Sequence, residues 1–326
     1  MHLRFWGTRG SLPVSLSAPA VEEKLITVLL AAQGQQFADR AAAQAFVQSL
    51  PFSQRGSYGG QSSCVEIALA HRPQHDDCIE HLICDAGSGL RLFGGAVLAA
   101  HGANTRQRFH ILLSHLHWDH IMGLPFFTPA YLAGNEVHFY GGHAELRAAI
   151  ERQQDPPSFP VPFADLRAQF HFHRLLPGSV TTIAGSRVQL LRQHHAGDSY
   201  GYRIEHGGKS LVYSTDSEHR LDDPEETAAF VQFFHQADAV IFDSMYSLAD
   251  TLSLKADWGH SSNVVAVELC QLAQVRQLLL FHHEPSFSDA RIAQMEAESQ
   301  RLEAITRGSR APLLVRASYD GMEVPL

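Results

Sequence analysis

The segment His115-Leu116-His117-Trp118-Asp119-His120 gathers three imidazoles and one carboxylate within six residues. It follows an apolar run, Phe109–Leu113, that reads as a β-strand. In extended chain, residues i and i+2 share a face, so His115 and His117 can present ring nitrogens to one metal ion. The turn that follows, with a short helix expected at Ile121-Met122, swings Asp119 and His120 toward a second ion. Two ions need more ligands, and further strand ends supply candidates: His194-His195, Asp216 after Leu211–Ser214, and His282-His283 after Leu278–Phe281. At this level either member of each histidine pair can serve. Five imidazoles with two carboxylates give mixed nitrogen and oxygen ligation, which suits Zn²⁺, with Mn²⁺ or Fe²⁺ as alternatives. Such a centre lowers the pKa of water and delivers hydroxide to an electrophile, so the expected class is a metal-dependent hydrolase. The chain has 21 histidines, which makes spacing more informative than count. His71, His101, His138, His171, His173 and His206 are read as solvated or core residues.

The elements that must position these groups alternate in type. β-like runs are expected at 2–6, 62–70, 80–84, 109–113, 136–140, 187–193, 200–206, 210–214, 238–242, 277–281 and 312–317. Helices are expected at 19–33, 38–49, 143–153, 225–236, 262–274 and 288–306. Gly207-Gly208 between two of the runs signals a hairpin, which makes part of the sheet antiparallel and disfavours a purely doubly wound fold. Residues 14–57, rich in Ala and Gln, read as a helical pair inserted after the first strand of a single 1–326 domain. Pro156, Pro157, Pro160 and Pro162 mark a loop.

Composition narrows the field. With 326 residues and 45% hydrophobic content the chain can bury a sizeable core. A net charge of −9 and a pI near 6.1 offer no broad basic face, so no extended nucleic-acid partner and no membrane partner are expected. Any phosphate must be held locally. The N-terminal Met1-His2-Leu3-Arg4-Phe5 lacks the build of a signal peptide, and a cytoplasmic location is expected. Cys64, Cys78, Cys84 and Cys270 fit no zinc-ribbon or CxxC spacing and are read as reduced. Gly208-Lys209-Ser210 lacks the upstream glycine of a phosphate-binding loop, having Arg203 there. Gly87-Ser88-Gly89 lacks the third glycine of a dinucleotide fingerprint, having Leu92. No GxSxG nucleophile elbow is present. Phe126, Phe127 and Tyr131, just past the metal loop, are either base-stacking or core aromatics.

Read together, these motifs resemble the metallo-β-lactamase superfamily, in particular its phosphodiesterase branch of ribonuclease Z-like and phosphonate-pathway cyclic phosphodiesterase-like hydrolases. The resemblance spans nearly the whole chain. Phe5-Trp6-Gly7-Thr8-Arg9-Gly10-Ser11-Leu12-Pro13 is similar to that branch's first strand and loop, and Asp85-Ala86-Gly87 to the superfamily's DxG element. After HxHxDH, His195 before Tyr200-Gly201-Tyr202 resembles the third motif and favours His195 over His194. Tyr213-Ser-Thr-Asp216 resembles the bridging-carboxylate motif, Gly259-His260-Ser261-Ser262 the GHS element, and Leu280-Phe281-His282 the last ligand strand, which favours His282 over His283.

The resemblance implies an αββα sandwich of two mixed sheets with helices outside. It implies that His115, His117 and His195 hold one ion, that Asp119, His120 and His282 hold the other, and that Asp216 bridges. Asp85 would then hydrogen-bond a ligating imidazole, and His260 would serve with Asp119 as a catalytic residue, donating a proton to the leaving alcohol. The implied reaction is hydrolysis of a small or cyclic nucleotide-like phosphodiester by a hydroxide bridging two divalent ions. Hydrolysis of a lactone or carboxylic ester at the same dinuclear site is the alternative. Dimers are frequent in the branch, so a homodimer is an expectation. No Gly/Pro-rich arm like the tRNA-binding exosite of ribonuclease Z is visible, and His117 replaces the glutamate of the diiron flavoprotein relatives. Both differences point toward small-molecule hydrolysis.

Overall fold

The computed structural model describes residues 1–69, 78–219, 223–246 and 260–326. His71, Gly259 and the last residue of the 62–70 run lie outside them. Among the described residues, two seven-stranded sheets face each other. The first has β1 (His2–Gly7), β2 (Cys64–Ala68), β3 (Ile79–Cys84), β4 (Gln107–Leu112), β5 (Glu136–Gly141) and β6 (Gln169–Arg174), and its far edge is β14 (Glu323–Pro325), in the order β14-β1-β2-β3-β4-β5-β6. The second runs β13-β12-β11-β10-β9-β8-β7, from Leu314–Ala317 (β13) through Gln277–Phe281 (β12), Ala239–Asp243 (β11), Lys209–Ser214 (β10), Ser199–His206 (β9) and Ser186–Gln193 (β8) to Val180–Ile183 (β7). Leu3, Phe5, Leu82, Leu112, Tyr202, Leu211, Tyr213, Leu279 and Phe281 fill the space between the sheets. Helices Gly89–His101 and Leu146–Arg152 cover the outside of the first sheet, and helices Pro224–Phe234 and Asn263–Leu272 the outside of the second. This is the αββα sandwich that the resemblance implied.

Both sheets are mixed, and their direction explains where the site lies. β3, β4, β5 and β6 are parallel, as are β10, β11, β12 and β13. β11 and β12 read Ala-Val-Ile-Phe-Asp and Gln-Leu-Leu-Leu-Phe and are buried throughout, as expected of parallel strands covered on both faces. Parallel strands deliver all their C-terminal ends to one edge, which is where open α/β sheets bind ligands. The β9–β10 hairpin pairs His206 with Lys209 across Gly207-Gly208, the turn read from sequence.

Several elements escaped the sequence reading, the edge strand β14 among them. Helix Gly89–His101 contains Gly94 and Gly95, which lower helix propensity. Gly94 is there for space: a Cβ would come within 2.7 Å of the Phe127 ring. β6 reads Gln-Phe-His-Phe-His-Arg, a period-2 alternation hidden by histidines, and β7 is only Val180–Ile183. The inserted pair folds as helices Ala18–Ala31 and Arg40–Ser49, neither of which buries a residue. Lys24 moors the first of them through Asp289, 2.9 Å away. All four cysteines are buried and free. Among the described residues no helix is long and apolar enough to cross a membrane.

Candidate metal centre

Five strand ends meet at one edge. Asp85 follows β3, Ser114 and the histidine loop follow β4, Asp216 lies two residues past β10, Asp243 ends β11 and His282 follows β12. β8, which points the same way as β10 because both are antiparallel to β9, leads to His195. Asp85, Asp216 and His282 have φ of 60°, 50° and 59°. Left-handed backbone at non-glycine residues costs about 1–3 kcal/mol each and persists where surrounding contacts over-determine it. Here it turns each side chain off its strand and into the cleft between the sheets.

The geometry divides the predicted ligands into two adjoining groups. His115, His117 and His195 converge, and so do Asp119, His120, Asp216 and His282, each group with its ligand atoms within 4.8 Å of one another. In the second group His120 Nε2 is 3.0 Å from Asp119 Oδ2, 3.2 Å from Asp216 Oδ2 and 3.3 Å from His282 Nε2. His282 Nε2 is 3.2 Å from Asp119 Oδ2 and 3.3 Å from Asp216 Oδ2. A tetrahedral ion with bonds of about 2.0–2.1 Å has ligand–ligand edges of about 3.3–3.4 Å, so these donors are already spaced for one. In the first group His117 Nδ1 and His195 Nε2 are 3.2 Å apart. Buried His115 Nε2 has no hydrogen-bond partner among the described residues and faces Asp216 Oδ1 at 3.7 Å. Asp216 thus touches both groups, His195 included at 3.9 Å. The donor set fits a pair of divalent ions sharing one carboxylate.

The neighbouring histidines are elsewhere. His194 is turned to Glu226, 3.4 Å away, and its side chain is 67% exposed. His283 is buried and donates from Nε2 to the Ser318 carbonyl at 2.8 Å.

Electrostatics reinforce the picture. Burial drives His115 well below its ordinary value, with His120 adding to the effect. Burial also opposes a charged His120, yet Asp119, Asp216 and Asp85 carry it well above the ordinary range. Burial works against an ionised Asp119 too, and His120 and His282 still hold that carboxyl far below the usual carboxylate range. Packed together this way, the carboxylates are held in the anionic form that a cation takes.

A layer of hydrogen bonds orients the imidazoles. Asp85 Oδ2 is 2.7 Å from His120 Nδ1 and accepts the Tyr213 hydroxyl at 2.7 Å, while Asp85 Oδ1 accepts the Ser114 backbone N–H at 2.7 Å. A ligating histidine whose second nitrogen is so held has its tautomer and ring plane fixed. The Ser11 backbone N–H donates to Asp119 Oδ2 at 2.9 Å, which gives the first-strand loop a role. His260 lies beside the centre: its ring is 5.2 Å from that of His195 and stacks on His282 at 5.2 Å. Its Nδ1 is 2.7 Å from Asp243 Oδ2. Burial opposes charge on His260, but Asp243 outweighs it and pushes its pKa up to about 9.

Asp243, Tyr213 and Ser114 are the site residues that sequence reasoning missed. Asp243 ends a predicted strand just as Asp216 does, so the same strand-end signal could have found it. Of the aromatics after the metal loop, Phe127 is buried, Tyr131 bonds the Pro125 carbonyl, and Phe126 is exposed. Phe126 and Trp118 line a cleft of about 420 Å³ with Leu116, Met122, Pro125 and Arg152.

Comparison with known proteins agrees with this geometry. The family model described as "Beta-lactamase superfamily domain" matches residues 81–283. Ribonuclease Z of Enterococcus faecalis is 23% identical over 267 residues, 67% of this chain and 81% of that protein. The metallo-beta-lactamase fold protein YhfI from Bacillus subtilis superposes with a TM-score of 0.62 at 16% identity, covering 99% of this chain and 98% of that one. A diphosphatase from the PhnP family superposes with a TM-score of 0.58 at 16% identity, covering 100% and 97%. Since the family match takes in more than half of the chain and contains the whole HxHxDH loop, Asp85, His195, Asp216 and His282, the protein belongs to the metallo-β-lactamase superfamily.

Proposed function

We propose that this chain, a metal-dependent hydrolase of the metallo-β-lactamase superfamily, cleaves a small or cyclic nucleotide-like phosphodiester. The observation that carries the reading is the convergence of five imidazoles on two buried carboxylates, Asp119 and Asp216, in a chain of net charge −9. Positive charge is then concentrated at one point, which suits a compact monoanion better than a long polyanion. His115, His117 and His195 would hold one ion and Asp119, His120 and His282 the other, with Asp216 available to both. When bound there, two divalent ions, Zn²⁺ in the first instance, supply a water deprotonated at neutral pH and positive charge against the phosphoryl oxygens.

The chain's own groups do the rest. Asp85, Ser114 and Tyr213 fix the ring of His120, and the Ser11 N–H fixes Asp119. His260, its Nδ1 proton held by Asp243, keeps a second proton at Nε2 that can pass to the leaving oxygen. Trp118, 78% exposed, and Phe126, 58% exposed, offer apolar surface beside the centre for a base or other flat leaving group. A small-molecule diester is thus the proposed partner, in the cytoplasm, with a homodimer as the proposed assembly.

The test is a comparison on one metal-loaded preparation of bis-p-nitrophenyl phosphate, p-nitrophenyl phosphate, 2′,3′- and 3′,5′-cyclic nucleotides, and simple lactones. The diesters should have the highest kcat/KM. A lactone turned over tenfold faster than every diester would replace phosphodiester hydrolysis with carboxylic ester hydrolysis.

A further inference from the structure

We infer that Glu136, His138 and His171 form a further divalent-cation site, separate from the catalytic centre, on the inner face of the first sheet. Leu112 and Tyr140 belong to the core between the sheets. His110 and His138 stand two residues before them on the same strands and therefore share that face. The register pairs His110 with His138 and His138 with His171, so three imidazoles form a row across β4, β5 and β6. Their ring centroids are 5.2 and 4.4 Å apart. His110 precedes His115 by five residues of mostly extended chain, which at about 3.3 Å per residue puts the row on the order of 15 Å from the catalytic ligands.

The local geometry is that of a ligand set. The ligand atoms of Glu136, His138 and His171 all lie within 4.8 Å of one another. His138 Nε2 is 3.3 Å from Glu136 Oε2, about the edge of a tetrahedron with bonds of about 2.0–2.1 Å. The other nitrogen of His138, Nδ1, is 3.1 Å from His173 Nε2. Donation from Nδ1–H to His173 leaves the Nε2 lone pair directed at the ion, the arrangement that usually backs a ligating histidine. Two imidazoles and a carboxylate select borderline divalent ions such as Zn²⁺, Cu²⁺, Ni²⁺ or Co²⁺ over Mg²⁺ or Ca²⁺.

The surroundings set the strength and the consequence. Arg108 holds Glu136 through Nε at 2.8 Å and Nη2 at 3.2 Å, so a guanidinium competes with the ion for that carboxylate. The site therefore fills after the catalytic centre. His171 is on β6, the edge strand, while Glu136 and His138 are on β5. A bound ion staples the edge strand to its neighbour by side chains in addition to the backbone ladder, and its binding energy adds to the stability of that edge.

Equilibrium dialysis of chelator-stripped full-length protein against increasing Zn²⁺, with bound metal measured by mass spectrometry, tests the inference. The comparison is with a His138→Gln/His171→Gln double variant. Wild type should bind one more equivalent than the variant, the loss should fall on the weakest step, and diester turnover should be unchanged. Once the catalytic centre is filled, further Zn²⁺ should raise the wild-type Tm and leave the variant's where it was. If the double variant does not fold, His171→Gln alone, on the exposed edge strand, gives the same comparison. Equal stoichiometry across the whole titration, or a loss from the tightest step, would overturn the site.

Discussion

His260 Nδ1 lies 2.7 Å from Asp243 Oδ2, and the other oxygen of Asp243 accepts the Met245 backbone N–H at 3.0 Å. The carboxylate is thus fixed at both oxygens, and it fixes the imidazole. A histidine held this way is suited to deliver a proton, and such general acids contribute about 10²–10⁴-fold. His260→Ala should therefore lose about that factor in kcat on cyclic nucleotides or alkyl diesters, whose leaving alcohols are strongly basic. Bis-p-nitrophenyl phosphate, whose leaving group departs without a proton, should lose far less. Asp243→Asn should show the same selectivity in weaker form. Equal losses on both substrate types, or loss of metal from the variant, would make His260 a structural residue.

Asp85 combines an acceptor for His120 with a left-handed backbone, φ 60°. Asparagine tolerates that backbone but lacks the charge. Asp85→Asn should fold, with metal affinity down about 10–100-fold, as for other groups that orient a ligating histidine. Competition with a chromophoric chelator measures it. Unchanged affinity would show that a neutral acceptor at this position orients His120 as well as the carboxylate does.

Gly10 is constrained by space. A Cβ there would lie 2.5 Å from His282 Nδ1 and 2.5 Å from the Met245 methyl. Gly10→Ala should displace His282 and lower bound metal per chain, with the far-ultraviolet circular dichroism of wild type. Full metal retention would mean that the first-strand loop yields instead.

His219 makes an acid-lability prediction. Its ring is packed against Phe230, Phe234 and Phe242, and neither ring nitrogen has a hydrogen-bond partner among the described residues. Burial lowers its pKa to about 3. The unfolded chain binds a proton on this residue below its ordinary value of about 6.5, and the folded chain does not until about 3, so stability is full above 6.5 and falls with decreasing pH across that window. At pH 4.5 the loss amounts to about 2–3 kcal/mol. His219→Phe, which keeps a flat ring in an aromatic pocket, should remove that share. Urea midpoints at pH 7.5 and 4.5, both proteins in chelator, give the difference; parallel pH dependence of the two would contradict it.

How far the sequence carried the structure depended on the kind of signal. Strand ends bearing HxHxDH, His195, Asp216 and His282 were legible because the apolar runs before them were long and the ligand types are rare in such spacing. The choice between His194 and His195 was not legible from spacing, since adjacent residues at a strand end differ only in which face they meet. The fold decides it by turning His194 outward to Glu226. Helix Gly89–His101 was hidden because Gly94 and Gly95 weaken the local signal, while tertiary contact with Phe127 demands at least the first of them. The histidine row across β4, β5 and β6 was invisible for a different reason. Its members are far apart in sequence, and only the register brings His138 opposite His110 and His171.

The proposed function requires the pocket of His115, His117, His195, Asp119, His120, Asp216 and His282 to act as a dinuclear centre that hydrolyses phosphodiesters. Its most direct test is a titration of chelator-stripped protein with Zn²⁺, with bis-p-nitrophenyl phosphate turnover and bound metal followed in the same samples. Activity should be absent without metal, rise with the tight equivalents and reach its plateau at two ions per chain, whereas His120→Ala should neither reach that plateau nor bind the second tight ion. Full activity in stripped protein, or a plateau reached at a single ion, would rule out dinuclear hydrolysis at this site.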